Sequence, residues 1–465
     1  MINLSNPFIM LRYFAVLLFL FFIGASPRQI KPTESFLAIE SEFPLLWKTK
    51  MGCASFRTNI IVNKDELIIG SNGSGFMDYN IFDKQSGVYR INRVSGRINK
   101  LIANQSFGDM DVNGVLQLDN KLYFGNDNEE FLCTSMDGNI IFRNSTSGDI
   151  EHEPVLINNN GTPAIVYASE RGEIRAISPS TGITIWSYYT PDYTGWKPGD
   201  NRIIFKIGSY FSNTSSFFTK PLLIDINKDG VMDLVYLTYD NKLYAINGAN
   251  GHLLWLLNSD CKMNYMFTIV GNADQKKIQM ISSEIDSAQT YSSHLLTIDL
   301  RGKIVKSEKL NSGYEYYDAN SLNAIPFTNG SAIMCTRNEL LISDGKKNYK
   351  SIDRTIEYLR KEYFSDSIVK DIRNSRDATL GDKVFTYEGS KKTVIVLNQW
   401  DVTEESTGFI ELVSLDQEKV IKKFKINSYS EMPPVICDVN KDGYLDLLIN
   451  SKDGFLYCYN LKVKE

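Results

Sequence analysis

One hairpin unit is repeated along most of this chain, and its spacing constrains the fold more than any other feature. The clearest copy runs from Pro221 to Trp255, where β-branched, aromatic and aliphatic stretches alternate with turns containing Asp-Asn or Gly. Such alternation is typical of β-strands joined by tight turns. Most copies follow one another at roughly 40–50 residues, with two longer gaps of about 70, and this period is typical of propellers with four strands in each blade. The other copies are Val88–Ile98, Phe131–Phe142, Ile174–Trp186, Leu295–Val305, Leu340–Tyr349, Phe409–Phe424 and Gly454–Asn460.

The two ends of the repeat array complement each other. The last hairpin, Gly454–Asn460, stops before its fourth strand, and Leu45–Trp47 near the start is similar to an isolated fourth strand. Pairing these two segments would close a ring and remove the exposed sheet edges. We therefore predict one all-β domain over residues 45–465, an eight-bladed β-propeller closed by its N- and C-terminal strands. Seven blades are the alternative, because the copies at Ala324–Lys350 and Phe409–Phe424 are weak.

The composition agrees with a large domain rich in strands. Tyr and Phe number 25 each, and aromatic residues favour strands over helices. The net charge of −5 is small for this length, and no stripe of Lys or Arg stands out. We therefore expect no nucleic acid partner.

The first 25 residues have the pattern of an export signal. Arg12 provides a positive charge, Tyr13–Ile23 is an unbroken apolar run, and small residues precede a cleavage point near Ala25. The run is short for a membrane-spanning helix of about 20 residues, although an uncleaved anchor is the alternative. We predict a signal peptide over 1–25, a leader over 26–44, and a mature chain without a transmembrane segment that is extracellular, at the cell surface or periplasmic.

Two acidic loops share one spacing of oxygen-bearing residues. Their predicted ligands are Asp225, Asn227, Asp229, the Val231 carbonyl and Asp233, and then Asp438, Asn440, Asp442, the Tyr444 carbonyl and Asp446. Calcium binds six to eight hard oxygens at about 2.3–2.6 Å, and water can complete such a shell. Apolar strands flank the first loop, and neither loop has the closing glutamate of a helical calcium loop. We predict two structural Ca²⁺ sites, and acidic turns without metal are the alternative.

The repeat resembles known propeller families at these residues. The segment Leu243–Trp255 is similar to the repeat of pyrroloquinoline-quinone-type β-propellers, and both acidic loops look like the calcium loops of FG-GAP propellers such as integrin α-subunit heads. The resemblance implies the propeller fold, but such propellers have many functions.

The same resemblance raises an enzymatic alternative, a quinone (PQQ)-dependent dehydrogenase. Dehydrogenases of that family often carry adjacent cysteines, which this sequence lacks. Trp47, Trp186 and Trp255 lie at the ends of repeats, where we expect them to join blades and not to form the floor of a quinone site. We therefore expect no enzyme activity and no bound quinone.

Two insertions, near 188–220 and 351–380, interrupt the period. The first is rich in aromatic residues and is either a binding loop or a packed cover over a blade. In the second, apolar residues at helical spacing predict a short amphipathic helix over Ser351–Asp366.

The histidines and cysteines do not form a catalytic or zinc-binding pattern in the sequence. The histidines His152, His252 and His294 are expected at the surface rather than in a catalytic set. Among six cysteines, Cys437 and Cys458 are the first pair to examine for a disulfide, and buried free thiols are an equal alternative.

The predicted function is that of an exported, calcium-binding, non-catalytic scaffold for a protein or glycan partner. Tyr193 and Trp196 in the first insertion are the candidate partner-binding residues, because aromatic residues are enriched at interfaces. Besides the quinone-dependent enzyme, a cell-surface adhesin is the remaining alternative.

Overall fold

The structure is a computed structural model in which the repeat region forms one compact unit, Ser41–Glu465. The described residues are 43–73, 84–102, 111–193, 217, 219–238, 242–258, 262–272, 275–285, 291–310, 324–335, 339–344, 349–353, 378–398, 408–426 and 428–465. The predicted signal peptide and all but the last two residues of the leader lie outside them. Apart from one short 3-10 turn at Thr328–Gly330, regular structure in the described residues consists of strands.

The strands form eight antiparallel sheets, each a blade of a propeller ring. Blades 1 to 4 contain β2 (Ile60–Val62), β3 (Glu66–Asn72), β4 (Ser86–Asn92) and β5 (Ile98–Ile102); β6 (Val115–Leu118), β7 (Lys121–Asn126), β8 (Glu130–Ser135) and β9 (Ile140–Ser145); β10 (Val155–Asn159), β11 (Thr162–Ala168), β12 (Glu173–Ile177) and β13 (Thr184–Tyr189); and β14 (Leu222–Ile224), β15 (Asp233–Leu237), β16 (Lys242–Ile246) and β17 (Leu253–Asn258).

The second half of the ring follows the same plan. Blades 5 to 8 contain β18 (Lys262–Val270), β19 (Lys277–Ile285), β20 (Tyr291–Ile298) and β21 (Ile304–Lys309); β22 (Ile325–Pro326), β23 (Ala332–Cys335), β24 (Glu339–Ser343) and β25 (Tyr349–Asp353); β26 (Ala378–Leu380), β27 (Phe385–Tyr387), β28 (Ser390–Asn398), β29 (Gly408–Ser414) and β30 (Lys419–Ile426); and β31 (Val435–Cys437), β32 (Tyr444–Asn450), β33 (Phe455–Lys464) and β1 (Leu45–Lys50). The prediction of eight blades is confirmed, and the seven-bladed alternative is wrong.

The ring is closed by the first strand of the chain. β1 pairs with β33 in antiparallel register, with Leu45 opposite Tyr459 and Trp47 opposite Cys458. Blade 8 therefore takes three strands from the C-terminal end of the chain and its fourth strand from the N-terminal end of the domain. This confirms the predicted closure.

The strand order within a blade separates two faces of the ring. The first strands of adjacent blades, such as β2 and β6, approach each other, so they lie nearest the axis. Because the strands are antiparallel, turns between first and second strands and between third and fourth strands lie on one face, which we call the loop face. Turns between second and third strands, and the connections from one blade to the next, lie on the opposite face.

Aromatic side chains join consecutive blades on the loop face. The indole of Trp186, on the outermost strand of blade 3, donates its N–H to the Gly248 carbonyl of blade 4 at 3.0 Å. Its ring lies against Gly251, where a Cβ would come within 2.5 Å of Cε3. Gly251 has φ of +76°, which favours glycine, so the turn both admits the ring and requires this residue.

The same contact recurs at two other junctions of the ring. Trp47 of blade 8 lies against Gly96 of blade 1, and Trp255 of blade 4 lies against Gly302 of blade 5. Each indole N–H again donates to a main-chain carbonyl of the next blade, at 3.1 and 2.8 Å respectively. The tryptophans lie between blades, as predicted.

One local prediction needs correction, and the structure decides between two alternatives for Cys437 and Cys458. Residues 351–353 of the predicted helix Ser351–Asp366 form the end of β25, because they pair with β24, and the remainder lies outside the described residues. Cys437 and Cys458 are free thiols on β31 and β33, with β32 between them, so the sheet itself separates the suggested disulfide pair. Cys53 and Cys133 are also free thiols, and Cys261 lies outside the described residues.

We predict that Gly251→Ala destabilises the domain by about 2–4 kcal/mol, because the new methyl group overlaps the Trp186 ring and the left-handed backbone conformation is strained. Gly161→Ala is the matched control: φ is +86° there, but a Cβ meets no atom within 4 Å. The control should cost about 1 kcal/mol, from backbone strain alone. Melting temperatures would measure both effects, and equal losses would contradict the role of the ring contact.

Candidate functional site

The first acidic loop connects β14 to β15 on the loop face. Its side chains fold back onto loop amides: Asp225 Oδ1 accepts a hydrogen bond from the Asp229 amide at 3.1 Å, and Oδ2 accepts one from the Gly230 amide at 3.1 Å. Asn227 Oδ1 accepts a hydrogen bond from the same Asp229 amide at 3.0 Å, and Asp229 Oδ1 accepts one from the Val231 amide at 2.8 Å. The acidic residues thus shape the loop as well as lining it.

The second acidic loop connects β31 to β32 and repeats this arrangement. Asp438 accepts hydrogen bonds from the Asp442 amide at 3.1 Å and from the Gly443 amide at 2.9 Å. Asn440 Oδ1 also accepts one from the Asp442 amide at 3.1 Å, and Asp442 Oδ1 accepts one from the Tyr444 amide at 2.8 Å. Equal sequence spacing therefore gives equal hydrogen bonding in two separate blades.

The main chain of the two loops has the same conformation. Lys228 and Gly230 have φ of 62° and 87°, and Lys441 and Gly443 have φ of 64° and 84°. A Cβ on either glycine would meet nothing within 4 Å, so the glycines are needed for their backbone angles and not for space.

The loops differ at their last carboxylate. Both oxygens of Asp233 are used: Oδ2 accepts from the Ile226 amide at 2.8 Å, and Oδ1 accepts from the Gly248 amide at 3.0 Å. In the second loop, Oδ2 of Asp446 accepts from the Val439 amide at 2.8 Å, but its buried Oδ1 has no partner. The second loop thus leaves one buried acceptor oxygen unsatisfied.

The surroundings of Asp446 also disfavour its ionised form. Burial, together with the neighbouring charges of Asp442 and Asp438, raises the pKa of Asp446 to about 6. Burial likewise raises the pKa of Asp233. A bound cation would relieve this strain, because opposite charge favours the ionised carboxylate.

The donor set of the loops fits calcium, although the carboxylates are not gathered around one point. Each loop offers carboxylate, amide and main-chain carbonyl oxygens, the hard ligands that calcium prefers. Among the described residues, no three His, Cys, Asp or Glu side chains form a group that could hold a metal ion as they stand. The asparagine and main-chain carbonyl oxygens would complete the set, and a carboxylate oxygen that accepts a loop amide keeps a second lone pair for a cation.

Arg93 connects the second loop to the next blade. Its guanidinium donates to the carbonyl of Val439 at 2.6 Å, to the carbonyl of Asp438, and to the carbonyl of Asn63 at 2.8 Å. Arg93 lies in the turn between β4 and β5 of blade 1, and its own carbonyl accepts the Trp47 indole N–H. The second loop is therefore part of the junction at which the ring closes.

The described ends of the aromatic insertion are packed against the blades. Tyr193 is half-buried, and its ring centroid lies 4.7 Å from that of Tyr189. At the other end, Phe217 is fully buried against Tyr236, with ring centroids 5.0 Å apart. These contacts favour the packed-cover alternative at both ends. Trp196, the other candidate partner-binding residue, lies outside the described residues.

The histidines differ in their surroundings. His252 is exposed at a turn, as expected. The expectation of a surface position is wrong for His152, which is 1% exposed and donates its Nδ1–H to the Glu153 carbonyl at 2.9 Å. Burial lowers the pKa of His152 to about 4, so the imidazole is neutral at physiological pH.

Sequence analysis missed a group of acidic residues on the opposite face. Asp127 and Glu170 occupy the same turn, between second and third strands, in blades 2 and 3. Asp111 and Glu151 occupy equivalent places four residues before β6 and β10 begin. Comparison of turn positions from blade to blade would have found them, whereas a search for short motifs could not.

The fold places this chain among eight-bladed β-propellers. No family model matches the sequence, and no curated protein matches it. Solved structures do match: the Dos1 propeller, at 11% identity and a TM-score of 0.54, covers 91% of this chain and 96% of its own. Sqt1 from Saccharomyces cerevisiae, at 8% identity and a TM-score of 0.54, covers 90% and 99%.

A third similar structure is BamB from Moraxella catarrhalis, at 11% identity and a TM-score of 0.48, which covers 90% of this chain and all of its own. At these identities, structural likeness shows the fold alone. Within the described residues, the structure has no helix that is long and apolar enough to cross a membrane.

We predict that, in chelator, Asp233→Asn destabilises the domain more than Asp446→Asn does. An amide at position 233 must turn its NH₂ group toward a main-chain N–H, which should cost about 1.5–3 kcal/mol. An amide at position 446 can place its NH₂ where Oδ1 now has no partner, and should cost less than about 1 kcal/mol. Thermal unfolding of the two variants makes the comparison, and the reverse order would contradict the assigned hydrogen bonds.

Proposed function

We propose that this protein is an exported, calcium-stabilised and non-catalytic propeller that binds a partner protein. The observation that carries the proposal is the division between a closed frame and long connections. The frame repeats the same junction from blade to blade, whereas the connection between β13 and β14 covers residues 190–221. Binding residues commonly lie on loops that a rigid scaffold positions.

The calcium part of the proposal is supported by the match between the two loops. Asp225, Asn227, Asp229, the Val231 carbonyl and Asp233 would hold one ion, and Asp438, Asn440, Asp442, the Tyr444 carbonyl and Asp446 would hold the other. The unsatisfied Oδ1 of Asp446 makes the second loop the stronger candidate. Calcium would supply positive charge that neutralises clustered carboxylates and fixes the turn between two strands.

Export is supported by the pattern of the first 25 residues. Because calcium sites of moderate affinity are filled at extracellular calcium concentrations, the proposed ions and the proposed location agree with each other. An N-terminal sequence of the mature protein beginning near Ser26 is the expected result of signal cleavage.

We predict that calcium raises the melting temperature and that chelation lowers it. An ion present at about 100 times its dissociation constant stabilises the folded state by about 2.7 kcal/mol for each site. The variant Asp225→Asn/Asp438→Asn should lose this response. Asp119→Asn/Asp137→Asn changes the net charge equally at exposed positions and should retain it. A wild-type protein that melts at the same temperature in calcium and in chelator would contradict the proposal.

We further predict that Tyr193→Ala/Trp196→Ala reduces partner capture at least tenfold while circular dichroism stays unchanged. Tyr193→Phe tests the hydroxyl group alone, because it removes the hydroxyl and keeps the ring contact with Tyr189. Ile183→Ala is the control, since Ile183 is an apolar residue that is 68% exposed on another part of blade 3. Quantitative mass spectrometry of co-purified proteins gives the readout, and equal recovery by all variants would reject this site.

A further inference from the structure

The acidic residues on the opposite face come together across three consecutive blades. Asp111 lies in the connection from blade 1 to blade 2, and Asp149 and Glu151 lie in the connection from blade 2 to blade 3. Asp127 and Glu170 lie in the turns at the ends of β7 and β11. We call these five residues the acidic cluster. The cluster is on the face that does not carry the proposed calcium loops.

Main-chain hydrogen bonds place the carboxyl groups side by side. The amide of Asp127 donates to the carbonyl of Asp111 at 3.3 Å. One blade further on, the amide of Glu170 donates to the carbonyl of Asp149 at 3.0 Å. A contact between turn and connection is thus made in both blades, with the acceptor four residues before β6 in one and six residues before β10 in the other, and each time it joins two acidic residues. The cluster is therefore built by the repeat and does not depend on a single mobile side chain.

One cation already lies in the cluster. Arg57, in the connection from β1 to β2, pairs with Glu151 at 2.5 Å, and both side chains are largely buried. The amide group of Asn113 donates to the same Glu151 oxygen at 2.7 Å. This arrangement shows that a guanidinium group fits between these carboxyl groups. Glu151 is satisfied by it, and the charge of Arg57 also acts on Glu170.

Asp127 has a buried carboxylate oxygen that faces no hydrogen-bond donor. Its Oδ1 atom is buried and, in the part of the chain that the structure describes, accepts no hydrogen bond. A buried acceptor without a partner costs about 1–3 kcal/mol, so native structures rarely leave one unsatisfied. Asp127 as a whole is partly exposed, although this oxygen atom is buried.

The charges around this atom favour a cation. Burial, followed by the charges of Glu151 and Asp149, raises the pKa of Asp127 well above its usual range. Burial and the same two neighbours raise the pKa of Glu170, whose carboxyl group is within hydrogen-bonding distance of Glu151. A positive group placed here would be attracted by several carboxylates at once, in surroundings where water screens charge poorly.

A basic side chain is the cation that the cluster already holds, because the Arg57 guanidinium pairs with Glu151. The carboxyl groups are spread over two connections and two turns, so a long side chain such as that of Arg57 can enter among them. We propose that the acidic cluster binds a lysine or arginine side chain of a partner polypeptide, with Asp127 and Glu170 as its main contacts. This inference rests on the proposed function as a protein-binding scaffold and names the charge of the partner segment.

A labelled hexalysine peptide is the probe, with binding measured by fluorescence anisotropy at two salt concentrations. Wild-type protein should bind the peptide more weakly at high salt, because screening reduces attraction between opposite charges. The variant Asp127→Asn/Glu170→Gln, which keeps side-chain shape and removes two charges, should bind at least about tenfold more weakly. A hexapeptide of Nε-acetyl-lysine, which lacks the positive charges, should not bind.

The matched control is Asp119→Asn/Asp137→Asn, which removes two exposed carboxylates on the loop face and changes the net charge equally. It should alter binding by less than about twofold, since long-range charge alone contributes little at physiological salt. The melting temperature of the cluster variant should equal or exceed that of wild type, because the substitutions relieve repulsion. A lower melting temperature together with lost binding would indicate a structural role and overturn the proposal.

Other outcomes also overturn the inference: no peptide binding by wild type, equal binding by the cluster variant, or binding of calcium in place of peptide at the cluster. Partner capture by the same variants distinguishes failure of the acidic-cluster inference from failure of the proposed scaffold function. If wild type captures a partner and the cluster variant captures it equally, the acidic cluster is not the binding site but the scaffold function stands. If wild type captures nothing, the scaffold function itself fails.

Discussion

The contact between an aromatic ring and a glycine of the next blade is the interaction on which this fold depends most. A four-stranded sheet with two apolar faces is not stable alone, so each blade must be covered by its neighbours. Trp47, Trp186 and Trp255 fill the junctions that follow blades 8, 3 and 4, and each lies against a glycine with positive φ. Phe142 takes the same place against Gly182. The junction therefore tolerates a smaller ring but keeps the glycine.

Ring closure makes this chain of contacts continuous. Trp47 is on β1, the strand that completes blade 8, and its ring lies against blade 1. The same short segment thus closes a sheet by hydrogen bonds and a junction by packing. Arg93 adds the second acidic loop to this place, because it donates to the carbonyls of Asp438 and Val439. Any ion in that loop would be coupled to the stability of the closure, whereas an ion in the loop of blade 4 would act on one blade.

The ring and its closure could be predicted from sequence, because both are local patterns repeated many times. The unpaired Leu45–Trp47 strand and the incomplete last hairpin predicted the pairing of β1 with β33, and the structure shows that pairing. The residues of the acidic loops could also be identified, since each set lies within nine consecutive positions. Their hydrogen bonds could not: nothing in the spacing distinguishes Asp233, whose Oδ1 accepts from Gly248, from Asp446, whose Oδ1 has no partner. The difference comes from the turn between the third and fourth strands, which reaches Asp233 in blade 4. Blade 8 lacks that turn, because its third and fourth strands come from opposite ends of the domain.

The acidic cluster, in contrast, could not be predicted from the sequence. Its members extend from Asp111 to Glu170 and become neighbours only because successive blades repeat one contact between turn and connection. Carboxyl groups that repel one another and leave Asp127 Oδ1 without a partner do not improve the stability of the ring. At the junctions each indole N–H finds a carbonyl, whereas other buried polar atoms of the ring, such as the hydroxyls of Thr134 and Tyr236, also have no partner among the described residues. What distinguishes Asp127 is its place beside several carboxyl groups, where a partner's positive charge would supply what the chain itself does not.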